Sequence, residues 1–207
     1  MKIEETKWAG ILFSIGGLQW FFSIIISEGL HPGYIIPPNS QWIPYSSQIQ
    51  FVSSLGVGST AWLFNSSLLL FGLAMITGSY LYQKQGKSRL LAILLAIAGI
   101  GAIGVAAFPE TIQPAHGIFQ SIAFICGGLA AVVSFKVQKL PLSAISLFLG
   151  CFALVAIVVF FPYLGLGLHD TSMFLGLGKG ALERLVIYSM LMWEISFGYF
   201  LMTFKQS

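Results

Sequence analysis

The sequence predicts an all-α, polytopic membrane protein: a six-transmembrane-helix bundle with both termini cytoplasmic. Three observations carry that reading. Hydrophobic residues make up 57% of the 207 and charged residues only 8%, against a charged share of roughly 25% in soluble domains. The apolar residues fall in six continuous runs near the ~20 residues that a helix needs to cross hydrocarbon, not in the alternating segments of a barrel. The basic residues, finally, crowd onto one set of loops. No soluble domain is left over, so 1–207 forms a single transmembrane domain. The net charge of +3 gives no footing for nucleic acid as a partner; membrane lipids are the expected surroundings.

The elements follow in order. Lys2, Glu4, Glu5 and Lys7 form a charged leader, and the first span is expected over 8–26, with Gln19 inside it. That run is too long for a signal-peptide core, and no small-residue cleavage pattern follows at Ser27-Glu28-Gly29, so it reads as a retained helix. The longest connection, about 28–55, holds His31, Pro32, Tyr34, Pro37, Pro38, Trp42, Pro44 and Tyr45. Its prolines forbid a continuous helix and its aromatics favour the headgroup region, so an external lid over the bundle's mouth is expected.

The second span, 56–82, contains Asn65-Ser66-Ser67, a glycosylation pattern that burial in lipid disables. After a turn with Lys84, Lys87 and Arg89 comes the third span, 90–108, with Gly99-Ile100-Gly101-Ala102-Ile103-Gly104. No strand precedes this G-x-G-x-x-G, so its glycines are expected to serve close helix packing rather than nucleotide binding. Pro109 to His116 forms the next turn. The fourth span, 115–137, sets Gln120 one turn below His116 on the same face. Lys136 and Lys139 precede the fifth span, 142–163. A glycine-rich loop with His169, Asp170 and Lys179 leads to the sixth, 182–204. Neither that loop nor Gly86-Lys87-Ser88 has the glycine spacing of a phosphate loop. Cys126 and Cys151 lie within spans and read as small apolar core residues. Trp8, Trp20, Trp62 and Trp193 read as interface anchors and packing residues.

Six spans return both termini to one side. Lys2, Lys7, Lys84, Lys87, Arg89, Lys136, Lys139 and Lys205, eight of the ten basic residues, share that side, and Lys179 and Arg184 the other. The preference of Lys and Arg for cytoplasmic loops places both termini in the cytoplasm of a cell membrane.

On this topology the titratable groups gather at the external face. Glu194 is the exception: it sits mid-span, where an acid costs at least ~2.5 kcal/mol on insertion scales. Glu183 precedes it by eleven residues, on the same helix face and ~16 Å up the axis. An outward-facing polar pocket is therefore expected. Glu110, His116, Glu183 and Arg184 form its rim as candidate catalytic residues; Asn65, Gln120, Tyr188, Trp193 and Glu194 are its candidate ligand-binding wall and floor. Three functions fit such a pocket. A metal-dependent hydrolase acting on a lipid headgroup or acyl linkage would draw on His116, Glu110, His169 and Asp170, whose donors suit zinc or iron. A binding or transport protein for a small solute or lipid, eased by homo-oligomerisation, would use Arg184 as fixed charge and Glu194 as deep acceptor. A structural protein would use Glu110, Glu183 and Arg184 only as an ion-pair network tying the sixth helix to the turn after the third. Haem held by two of the histidines is the least supported cofactor, since all three lie near one surface.

Several short motifs carry a family resemblance. Ser54-Leu55-Gly56 with Leu63-Phe64-Asn65, Phe108-Pro109-Glu110 with His116-Gly117, and Glu183-Arg184 with Tyr188, Trp193 and Gly198 resemble the domain-of-unknown-function 998 family of small prokaryotic membrane proteins. The resemblance covers most of the chain and implies about six spans. It picks out Asn65, Glu110, His116, Glu183, Arg184 and Trp193 as recurring positions and brings no activity with it. Glu194 and the His169-Asp170 pair fall outside its pattern.

Overall fold

The computed structural model describes residues 2–36, 41–164, 166 and 170–203. Its six helices, each long and apolar enough to cross a membrane, are α1 (Lys2–Leu30), α2 (Ala61–Lys84), α3 (Arg89–Ala107), α4 (Ala115–Ser134), α5 (Leu142–Phe160) and α6 (Lys179–Thr203). Each packs against its sequence neighbours, and α6 closes back onto α1. The result is a ring rather than a stack, so its interior is shared by several helices. Gly10 of α1 lies against Gly198 and Met202 of α6, which puts the first and last turns at one end, here the terminal face. The opposite end, the loop face, carries the long connections.

The helix ends depart from the sequence expectation where local chemistry extends or breaks them. The first helix continues past 26 because Ser27 and Glu28 sustain the ladder; His31 N–H donates to Ser27 O at 2.9 Å before Pro32 stops it. Glu28 is thereby helical, not part of a loop. Two 3₁₀ turns, Ser53–Gly56 and Gly58–Thr60, delay α2 to Ala61, and Gly58 takes a φ of +82° that suits glycine. Within the lid region, β1 (Gly33–Ile36) and β2 (Gln41–Pro44) pair antiparallel, with Tyr34 opposite Ile43 and Ile35 opposite Trp42. A second, two-residue pairing joins β3 (Met173–Phe174) to β4 (Leu177–Gly178).

The glycine motif of α3 packs in two directions. A Cβ at Gly99 would stand 2.8 Å from Gly72 O of α2, and one at Gly101 would stand 2.5 Å from Ala123 N of α4. One at Gly104 would enter the Phe119 ring. Gly101→Ala is therefore expected to lower stability by about 1–3 kcal/mol through overpacking against backbone that cannot yield. Gly29→Ala, with nothing within 4 Å of the added carbon, is expected to be neutral. Thermal unfolding of both variants in detergent checks the contrast. Cys151, by comparison, is exposed and so is not the core residue expected, its helix turning it outward, whereas Cys126 is half-buried and packs against the hydrophobic core.

Candidate functional site

At the loop face, residues 45–57 dip into the ring's mouth as a plug. Phe51, Val52 and Leu55 are buried there, because the ring's inner walls offer apolar surface that the chain can cover. A plug also brings backbone N–H and C=O groups into the interior, and those need partners. The charged residues of the loop face supply them.

Arg184 is the main clamp. Its Nε donates to Glu28 Oε1 at 2.9 Å, and its other nitrogens donate to the carbonyls of Ser47 at 2.7 Å, Gly180 at 2.8 Å and Gln50 at 3.1 Å. The Tyr45 hydroxyl accepts a further bond from the same guanidinium and donates to Glu28 at 3.4 Å. A planar, five-donor fork serves so many acceptors where an ammonium could not. Glu183, 1% exposed, holds the plug's amides: Val52 N–H donates to Oε2, Ser53 N–H faces the same carboxylate, and Gln120 Nε2 donates to Oε1 at 2.7 Å. Glu110 accepts from the Ser54 hydroxyl. Asn65 Nδ2 donates to Gly56 O at 3.0 Å, and the Tyr34 hydroxyl donates to Ser54 O at 2.8 Å. At His31, Nδ1 accepts from Gly33 N–H at 3.1 Å, so Nε2 is the nitrogen that donates to Val57 O, 3.2 Å away. Burial pushes both the Tyr34 and the Tyr45 phenols upward, with the Arg184 charge pulling back, so both hydroxyls stay available as donors.

Beneath the plug lies a cavity of about 60 Å³ inside the ring. Val52 and Ser53 border it above; Trp20, Phe64, Phe71 and Phe124 stand around it; Trp193 and Glu194 border it from α6. Trp20 stacks on Phe71 with centroids 4.8 Å apart. Glu183 and Glu194 both reach this cavity, as their spacing on one helix face requires. Glu194 is 3% exposed, and its Oε1 has no hydrogen-bond partner among the described residues; neither has Trp20 Nε1.

The candidate residues thus separate into two groups. Gln120, Glu183, Trp193 and Glu194 border the cavity. Asn65 does not; it is spent on the plug. Tyr188 lies against Arg184 and edge-on to Phe21 at 5.8 Å, also off the cavity wall. Trp193 donates its Nε1–H to Ser134 Oγ at 2.8 Å, so its polar end faces the terminal side. His116 is 2% exposed; its Nδ1–H donates to Phe108 O at 2.8 Å, leaving Nε2 without a partner among the described residues. Asp170 turns back on its own loop, accepting from Ser172 N–H at 2.9 Å. His169 lies outside the described residues, and among those described no group of three His, Cys, Asp or Glu comes together to hold a metal. The expected network joining Glu110, Glu183 and Arg184 is also redrawn. Arg184 pairs with Glu28 of α1, while the two other acids each bind the plug separately.

The cavity is accordingly less polar than the sequence suggested, because the plug occupies the mouth and uses up the rim's charges. Glu28, Tyr45, Ser54 and Trp20 join this arrangement although none stands among the candidate site residues read from the sequence. The sequence alone places Glu28 in the loop, because helix α1 outlasts its apolar run. Trp20, expected to be an interface anchor or packing residue, is a packing residue at 6% exposed, and it also stands on the cavity wall. Trp8 and Trp62 are exposed, at 57% and 73%.

Glu110 sits outside the spans and gives a test by pH. Burial pushes its carboxyl above the ordinary 4.5, with the Ser54 hydroxyl and the Lys179 charge pulling down. The folded state therefore favours the protonated form. That contribution to stability is full below 4.5 and lost as pH rises through the folded value. Glu110→Gln is expected to remove this loss, so the unfolding midpoint of the variant gains on wild type between about pH 4 and about pH 8. Equal midpoint differences at both pH values would mean that the carboxyl titrates as it does in the unfolded chain.

Residues 14–199 match the family described as "Protein of unknown function (DUF998)". No curated protein and no solved structure matches the chain.

Proposed function

We propose, on the premise that this chain belongs to the DUF998 family, that it is a membrane protein that binds a small molecule in its central cavity, with residues 45–57 as the gate. One observation carries the reading: Glu194, an acid 3% exposed, offers an unpartnered carboxyl oxygen to a cavity whose other wall residues are mostly apolar. An isolated buried acid costs several kcal/mol, and such a cost persists in a fold when the group meets something from outside. The volume argues for a ligand of few atoms. About 60 Å³ is below the ~150 Å³ of a cavity that takes benzene and far short of a lipid. Hydrolysis has weaker support, because Glu110, His116 and Asp170 each face a different partner. Eight of ten basic residues lie toward the terminal face in sequence, which supports cytoplasmic termini and a gate opening to the outside.

Gating is tested at Ser53, a buried cavity residue of the plug. In a background with Cys126 and Cys151 replaced by alanine, Ser53→Cys is expected to react slowly with a membrane-impermeant thiol reagent. Adding Glu28→Gln, which removes Arg184's ionic partner, is expected to speed labelling about tenfold by weakening the closed state by ~1–2 kcal/mol. Unchanged labelling would make the plug a fixed part of the fold.

A further inference from the structure

We infer that the cavity is a site for a small organic cation, held by Glu194 and packed among aromatic rings; this rests on the binding reading above. The evidence is the composition of the wall. Its ionisable members are two acids, Glu183 and Glu194, and among the described residues no Lys, Arg or His borders it. Arg184 follows Glu183 in sequence, yet its nitrogens are committed to Glu28 and the plug carbonyls. Anions are therefore excluded by an interior that offers them no positive charge. Glu183 is already satisfied by Gln120 and the Val52 amide, which leaves Glu194 as the acid a ligand would meet.

Five rings border the same space: Trp20, Phe64, Phe71, Phe124 and Trp193. Aromatic rings attract organic cations through their quadrupoles by about 0.5–2 kcal/mol each when desolvated. A bare metal ion is disfavoured by the donor count. Hard cations take six or more oxygens, whereas the side-chain oxygens of this wall come from Glu194, Gln120, Ser53 and Glu183, with those of Glu183 already engaged. An ammonium with a short carbon body needs one carboxylate and tolerates apolar neighbours. Trp20 Nε1, unpartnered among the described residues, adds room for one acceptor on the ligand, such as a hydroxyl.

The test uses two probes that differ in charge and little else: 2-hydroxyethylammonium and ethylene glycol. Full-length protein in lipid nanodiscs is titrated with each, with binding read by saturation-transfer NMR. The cation is expected to bind at least about tenfold tighter than the glycol, equivalent to ~1.4 kcal/mol. Glu194→Gln, with its folding verified by thermal unfolding, is expected to abolish that preference. Trp20→Leu is expected to weaken the cation more than the glycol, which loses only the Nε1 hydrogen bond and not the ring's attraction for charge. Equal binding of both probes to wild type overturns the cation assignment while leaving a ligand cavity in place. A preference that survives Glu194→Gln overturns the role of Glu194. Failure of both probes to bind overturns the cation assignment and the binding reading together.

Discussion

Arg184→Met is expected to destabilise the protein by about 3–5 kcal/mol, the cost of breaking a largely buried ion pair from one side. Methionine keeps the apolar stem, so the loss isolates the guanidinium. Removing it leaves Glu28 without its ionic partner and frees the carbonyls of Ser47, Gln50 and Gly180 from their donor. Those carbonyls belong to the plug and to the first turn of α6, so local opening should appear there first. Hydrogen exchange over 45–57 is expected to rise by several orders of magnitude while exchange within α3 and α4 stays slow. Arg184→Lys should recover only part of the stability, because a single ammonium cannot reach acceptors spread around the fork. An unfolding midpoint for Arg184→Met within a degree or two of wild type would mean that apolar burial alone seats the plug.

Glu183→Leu is the second large effect. A carboxylate that accepts from Val52 N–H and Gln120, with Ser53 N–H beside it, cannot be replaced by an apolar group without stranding those donors. At about 1–3 kcal/mol for each unsatisfied buried donor, a loss of about 3–5 kcal/mol is expected. Glu183→Gln retains one acceptor oxygen and should lose less. Gln120 supplies an internal control. In a Gln120→Leu background the cost of Glu183→Leu should shrink, since one stranded donor has gone, and a double-mutant cycle measures the difference. Additive losses would show that the Glu183–Gln120 contact of 2.7 Å carries no coupling. Chemical unfolding in mixed micelles reads all four states.

The six helices were legible because lipid imposes a simple rule. A span must be long, apolar and helical, and each of those properties is local in sequence. The packing role of Gly99, Gly101 and Gly104 was legible for a similar reason, since small residues in an embedded helix have few other uses. The rim was legible only as a collection. Glu110, Glu183, Arg184, Asn65 and Gln120 do meet at the loop face or the cavity beneath it, yet pairing them required coordinates. Arg184 had several acids within plausible reach, and nothing in residue spacing selects Glu28, which lies 156 positions away.

By itself, then, the sequence determined what depends on neighbours along the chain: the class of protein, the number of spans, the shared helix face of Glu183 and Glu194, and the oddity of an acid placed mid-span. Only the tertiary structure decided that the helices close into a ring, that residues 45–57 fill its mouth instead of lying across it, and that the rim's charges bind that plug. The physical reason is that hydrophobic length is a one-dimensional property, whereas satisfying a buried carboxylate or carbonyl depends on which distant group happens to arrive within 3 Å.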